Sequence, residues 1–236
     1  MKFTGYFIMF CMVMAACKGK EKQADGNGAP EAQKAVCVTD GVPVKAEPGK
    51  DGKWLTSLNM GETMLYLNDE FKDPEGKNQD YYKVELSDGS QVWARTYGIV
   101  LNAKPAAVLS ETPIYKRPDL VNKTDKAFKT LEFLVVVGEK DDWVEVIGAA
   151  KKKSGWIKAQ YISTNAEDVA VATLAYKSLF DKDGNILTDK LQPFIDGLPY
   201  QNTRFNGYLN SLLDEQVGEM VMESVGEIEG YEEEID

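Results

Sequence analysis

Hydrophobic residues along this chain change their spacing three times, and each change marks a different kind of segment. Phe3 to Met14 is apolar apart from Thr4 and Gly5 and follows the positive charge of Lys2. That run is too short for the roughly 20 residues a membrane-spanning helix needs, and it matches the hydrophobic part of a secretory signal. Lys18 to Lys34 holds no large apolar residue. It can bury no core and is predicted to be a flexible tether. From Val36 onward short apolar runs alternate with turn clusters. Val42-Pro43-Val44, Thr63 to Leu67, Tyr81 to Leu86 and Gln91 to Arg95 are predicted strands. Glu47 to Gly52 and the Asp-Gly turn Ser87 to Ser90 separate them. After Thr164 the period becomes helical, with Val169, Ala172, Tyr176 and Leu179, and later Leu209, Leu212, Leu213, Val217, Met220 and Val221. Thr164 to Glu167 reads as a capping box, although the β-branched residues between Val169 and Tyr176 leave a strand open there.

The strand-rich part repeats itself. Val44 to Pro48 recurs as Ile114 to Pro118, Leu58 to Leu67 as Phe128 to Val137, Tyr81 to Val84 as Trp143 to Val146, and Val92 to Arg95 as Gly155 to Lys158. Four matched segments in one order, with insertions only in loops, indicate a duplicated unit. Each unit resembles the bacterial SH3 (SH3b) family, through Val44-Lys45-Ala46-Glu47-Pro48, Gly61, Tyr81 to Val84 and Trp93 in the first. Ile114 to Pro118, Trp143 to Val146 and Gly155-Trp156-Ile157 carry it in the second. The second unit departs from the pattern at Leu131, where a glycine is expected for a turn of positive φ. The resemblance implies a mainly β chain: two tandem SH3-like small β-barrels followed by a mostly α-helical acidic C-terminal region. It also implies peptide binding, of cell-wall peptides or others, and no catalysis by the repeats. The expected boundaries are a signal peptide at 1–16, the tether at 17–35, barrels at 36–104 and 105–164, and the acidic region at 165–236.

Charge and rare residues narrow the function. The net charge of −11 argues against nucleic acid as a partner. It is concentrated in residues 165–236, where 16 acids face four bases, whereas residues 17–164 are balanced. Such a tail reads as a solvating surface or as a docking arm for a basic partner. The chain contains no histidine, which removes Ser-His-Asp and Cys-His nucleophile systems and His-containing zinc sites. Met14-Ala15-Ala16-Cys17 resembles a bacterial lipobox, which implies cleavage before Cys17, diacylglyceryl and acyl (palmitate-type) modification of that residue, and anchoring to a membrane. Lys18 rather than Asp after the cysteine favours the outer membrane. Cys11 would leave with the signal, so Cys37, in the apolar run Ala35 to Val38, would be the mature chain's free thiol and is expected to be buried. Asp181 to Asn185 opens like a calcium loop, but Ile186 and Gln192 stand where glycine and glutamate belong, so it is read as a turn. No metal or cofactor is expected.

The remaining chemistry lies in the aromatics. Alternation puts Tyr82, Val84 and Leu86 on one strand face, and Tyr81 on the other with Lys83. Trp143 likewise shares a face with Glu145, Trp93 with Arg95 and Trp156 with Lys158. An aromatic on the polar face is either packed under a loop or a flat platform for peptide or sugar. Tyr81 is expected to be a surface contact, and Trp143 to pack one ring face under the Ala149–Ser154 hairpin. Trp54, in the turn region, is a further exposed candidate. The candidate ligand residues are therefore Trp54, Tyr81, Trp93, Trp143 and Trp156. The expected function is a non-enzymatic, lipid-anchored envelope protein that holds cell-wall peptides or an envelope protein. The alternatives are a surface adhesin or scaffold, and the targeting part of a wall hydrolase.

Overall fold

The computed structural model describes residues 33–217, apart from 76, 78 and 201. The alternating segments become seven strands: β1 (Gln33–Cys37), β2 (Val42–Lys45), β3 (Trp54–Leu58), β4 (Thr63–Phe71), β5 (Tyr81–Glu85), β6 (Gln91–Arg95) and β7 (Ile99–Leu101). They form one antiparallel sheet in the order β3-β2-β6-β5-β4-β1-β7. Seven more follow: β8 (Lys104–Val108), β9 (Thr112–Tyr115), β10 (Lys123–Phe128), β11 (Phe133–Lys140), β12 (Trp143–Gly148), β13 (Ser154–Lys158) and β14 (Ile162–Ser163). Their sheet runs β10-β9-β13-β12-β11-β8-β14, the same order strand for strand. The duplication seen in four sequence segments thus extends to all seven strands of each sheet. Two boundaries move: β1 begins at Gln33, inside the expected tether, and β8 takes Lys104 into the second sheet. Both shifts follow from pairing, since Gln33 lies opposite Tyr66 and Lys104 opposite Val136.

The turn is kept at Leu131 without a glycine. Gly61 and Leu131 both take left-handed backbone, at φ 86° and 69°. Each donates its N–H to the end of the first strand of its sheet, Gly61 to Cys37 O in β1 at 2.8 Å and Leu131 to Val108 O in β8 at 2.9 Å. An L-residue in that conformation costs about 1–2 kcal/mol. The Leu131 side chain is fully buried in the core beneath the helices, which offsets that cost because burying a leucine contributes about 1.5–3 kcal/mol.

Each sheet encloses its own apolar set. Cys37, Val44, Leu58, Met64, Val84 and Val92 belong to the first, and Val108, Ile114, Phe128, Leu134, Val146 and Ile157 to the second. A third core joins the sheets to the helices. Val36, Val38 and Met60 enter it from the first sheet and Ala107, Phe133 and Val135 from the second. Strands β1, β8 and β11 are therefore buried on both faces, which is why Ala35 to Val38 and Phe133 to Val137 read as continuous apolar runs instead of alternating. Polar links reinforce this junction. Ala150 N–H donates to Val38 O at 2.7 Å, and the Lys151 ammonium donates to Ile99 O at 2.9 Å.

Three helices complete the described part: α1 (Ala166–Ser178), α2 (Thr188–Asp196) and α3 (residues 206–217). The cap of α1 is Asn165, not Thr164: its side chain accepts from the N–H groups of Glu167 and Asp168. Asp168, 1% exposed, accepts from Ser163 Oγ at 2.6 Å, Thr203 Oγ1 at 2.9 Å and Arg204 N–H at 2.9 Å. This carboxylate ties β14, α1 and the entry to α3 together. The segment Val169 to Tyr176 is helical throughout, and Val169, Ala172, Ala175 and Leu179 are buried. Helix α3 buries Leu209 and leaves Val217 exposed, whereas Met220 and Val221 lie outside the described residues. Helix α2, unforeseen, is seated by Leu191 and Phe194 despite Pro193 inside it. Asp181 to Asn185 is a turn, with Asp181 Oδ1 accepting from the N–H of Asp183 and of Asn185 at 2.8 Å each. Among the described residues no helix is long and apolar enough to cross a membrane.

Candidate functional site

Strand register assembles the aromatic candidates into rows. In the first sheet Trp54 pairs with Lys45, Lys45 with Trp93, and Trp93 with Lys83. Residues paired directly across strands share a face, so four neighbouring strands present the row Trp54–Lys45–Trp93–Lys83. Trp54 is 60% exposed and Trp93 is half-buried. The Lys83 ammonium stands 5.9 Å from the Trp93 ring centre and 3.9 Å from an Asp69 oxygen. In the second sheet the corresponding row is Lys123–Tyr115–Trp156–Glu145, with Trp156 half-buried. One row alternates aromatic and cation. The other ends on an acid at the position equivalent to Lys83.

A parallel row carries the residues whose exposure was expected and is not found. Tyr81 lies opposite both Phe71 and Arg95, and only 1% of it is exposed. Its parity is as expected, on the face away from Val84, but the turn after β2 folds over that face. The Tyr81 hydroxyl is 3.5 Å from Gly49 O, and its ring meets Phe71 edge-on at 6.3 Å. Lys45 and Arg95 flank the ring at 5.7 and 5.3 Å, with the Lys45 ammonium held by Gly49 O at 2.7 Å. Gly49 takes φ 88°, backbone that favours glycine, and lies against Phe71, where a Cβ would make ordinary contact with the ring at 3.5 Å. Tyr81 is thus a packed residue under a loop, not a surface contact. Trp143 corrects the expectation in a second way. It is 5% exposed, but its ring meets Tyr115 edge-on at 4.9 Å, with the Lys158 ammonium 4.2 Å from its centre. Lys158 is itself paired with Asp142. The neighbours of this ring are therefore β9 and β13 side chains in place of the Ala149–Ser154 hairpin.

The accessible part of the first face is then Trp54, the outer side of Trp93, Lys83 and the Arg95 edge. Tyr97, which the sequence reading passed over, adds to it: it is 51% exposed and its ring lies 5.7 Å from the Arg95 guanidinium. The signal that could have found it was its place two residues beyond Arg95, where the chain leaves the end of β6. Such a surface can stack on flat or aliphatic groups and pair with carboxylates. Cys37 offers no chemistry: its buried Sγ donates to Thr39 O at 3.0 Å, and burial pushes the thiol up to about 11. Among the described residues no three His, Cys, Asp or Glu side chains come together to hold a metal ion. Cys17 lies outside the described residues.

No protein-family description matches the chain, and no curated protein matches it. Among solved structures it is similar to "NlpC2 from Trichomonas vaginalis" at 13% identity and a TM-score of 0.26, over 63% of this chain and 57% of that one. "NlpC1 from Trichomonas vaginalis" is similar at 13% identity and a TM-score of 0.25, over 63% and 54%. The chain thus spans little more than half the length of either neighbour, and TM-scores this low are no sign of a shared fold.

Proposed function

We propose that this is a non-enzymatic, lipid-anchored protein of a bacterial cell envelope, in which two SH3-type barrels in tandem bind peptides. The identical strand order of the two sheets supports the tandem unit. The lipobox-like Met14-Ala15-Ala16-Cys17 supports attachment to a membrane, the outer one by the Lys18 criterion. The observation that carries the binding role is the Trp54–Lys45–Trp93–Lys83 row with Arg95 and Tyr97 at its edge. Exposed aromatics interleaved with cations suit a chain that has both apolar side chains and free carboxylates. Cell-wall peptides fit that description, as does an acidic segment of an envelope protein.

The test is a pull-down of residues 32–236 with purified peptidoglycan and with envelope extract, side by side; starting at 32 preserves β1. Retention by one of the two, lost on Trp54→Ala with Trp93→Ala, supports the reading. Retention by neither, or binding unaffected by the substitutions, overturns it.

A further inference from the structure

A concave region lies away from the aromatic face, where the second sheet meets the end of α1. It is a cavity of about 430 Å³, within the range of small-molecule pockets. Its apolar side is formed by Phe128 and Phe133 from the sheet and by Tyr176 and Phe180 from the helix and the turn after it. Phe128 and Phe133 are buried, whereas Tyr176 and Phe180 are half-buried, so the helix side of the cavity is accessible.

Four lysines line the same cavity: Lys129, Lys152, Lys153 and Lys182. Lys153 is committed, since its ammonium donates to Glu132 Oε1 and Oε2 at 2.6 and 2.9 Å and to Ala127 O at 2.9 Å. Lys129 donates to Gly184 O at 3.1 Å, a contact that holds the side chain without cancelling its charge. The carboxylates in the lining are Glu132, Asp181 and Asp183. Glu132 is spent on Lys153; Asp181, held by Asp183 N–H and Asn185 N–H, and the exposed Asp183 keep their charges, so four lysines against three carboxylates leave an excess of one positive charge. Lys152 and Lys182 are exposed and come from different elements, the connection before β13 and the turn after α1. In a chain of net charge −11, lysines that outnumber acids around an aromatic-lined cavity are a local reversal of sign.

We propose that this cavity binds a small amphipathic anion. Its apolar body would lie against Phe180 and Tyr176, and its negative group would be met by Lys152, Lys182 and Lys129. The ligand spans the second sheet and α1, so it ties the helical region to the sheet and raises the melting temperature on binding. The site does not depend on the peptide face described above, and the two can be lost separately.

The probe is 8-anilinonaphthalene-1-sulfonate, titrated into the full chain by fluorescence. N-Phenyl-1-naphthylamine, which has nearly the same ring system without the sulfonate, is titrated in parallel. Saturable binding at one site per chain is expected. Lys152→Glu with Lys182→Glu should weaken the sulfonate at least tenfold while leaving the uncharged amine unchanged. Both lysines are exposed, and an unchanged melting temperature of the unliganded variant checks that the fold survives. Absence of a saturable component overturns the proposal, as does equal loss of both probes. Displacement of the probe by sodium sulfate at equal concentration would show a simple anion site and overturn the amphipathic assignment.

Discussion

The two sheets have the same strand order, yet their outer faces differ in what they offer a ligand. In the first, Lys45, Lys83 and Arg95 surround Trp93 and Tyr81. In the second, the matching positions are Tyr115, Glu145 and Lys158 around Trp156 and Trp143. Replacing Lys45 by Tyr115 puts an aromatic where a cation stood, and Trp143 closes on it at 4.9 Å. Replacing Lys83 by Glu145 reverses the charge at the end of the row. The second sheet also carries α1 across β8 and β11, through Ala107, Phe133 and Val135. The two sheets share their strand order but not their surroundings: the second carries most of the packing against α1, and the first keeps an open cationic and aromatic face.

The largest effects should come from the rings that look like surface residues by alternation and are not. Trp143→Ala should cost about 3–5 kcal/mol, and Tyr81→Ala should be similar, as for other buried aromatics. Denaturant unfolding of each variant measures this. A loss within about 0.5 kcal/mol, the usual range for surface substitutions, would mean that the rings are exposed in solution and would return both to the list of ligand contacts.

Asp168 tests the helical support that distinguishes the second unit. Burial alone would raise its carboxyl, but the bonds from Ser163, Arg204 N–H and Thr203, with the Arg204 charge, outweigh that and hold it below the ordinary carboxylate range. A group depressed on folding contributes stability above its unfolded value, about 3.9, and that stability disappears as pH falls through the folded value. Wild-type stability should therefore fall below about pH 4, in part through this group. Asp168→Ala should cost about 1–3 kcal/mol at neutral pH, because it strands the Ser163, Thr203 and Arg204 donors. It should also flatten the acid limb. An acid limb of unchanged steepness in the variant would remove Asp168 from the account.

The turn pair Gly61 and Leu131 gives a smaller contrast. Gly61→Ala places a Cβ at φ 86° and about 3.2 Å from Thr173 Oγ1 on α1, which is strained backbone in a tight but yielding contact. A loss of about 1–2 kcal/mol is expected, read as a shift of the denaturation midpoint. No loss would show that the first unit tolerates a side chain here as the second does.

Much of this was legible in the chain, for physical reasons that can be named. The hairpin at Ser87–Ser90 and the apolar alternation of Val84 and Val92 are local signals, and β5 and β6 form where those signals place them. Alternation also assigned Tyr81 to the correct face. Its burial depends on the turn at Gly49 folding back onto Phe71, a contact between distant segments that no two-residue period encodes. Helix α2 was hidden by Pro193, which reads as a breaker, while Leu191, Phe194 and Ile195 keep helical spacing and are packed against the shared core. The row of Trp54, Lys45, Trp93 and Lys83 was invisible as a set because its members lie on four strands, joined only by register.

The smallest effect on stability and the sharpest test of the comparison belong to Trp54. Its ring is 60% exposed, and removing it should change unfolding free energy by no more than about 0.5 kcal/mol. Its counterpart Lys123 is also exposed, so Trp54→Lys gives the first row the second row's residue at a position where neither side chain is packed. Lys83→Glu does the same at the other end, at the loss of the 3.9 Å contact to Asp69 and the 5.9 Å contact to the Trp93 ring. If the cationic and aromatic row holds a carboxylate-bearing peptide, Trp54→Lys loses stacking but adds a positive charge, so its weakening of capture shows most clearly at high salt, where that charge is screened. Lys83→Glu weakens it most at low salt, where the lost attraction and the new repulsion are least screened. Measuring retention on peptidoglycan at low and high salt separates the two contributions. If both variants bind as the wild type does at every salt concentration, the difference between the two faces has no bearing on binding, and the ligand must be held elsewhere on the molecule.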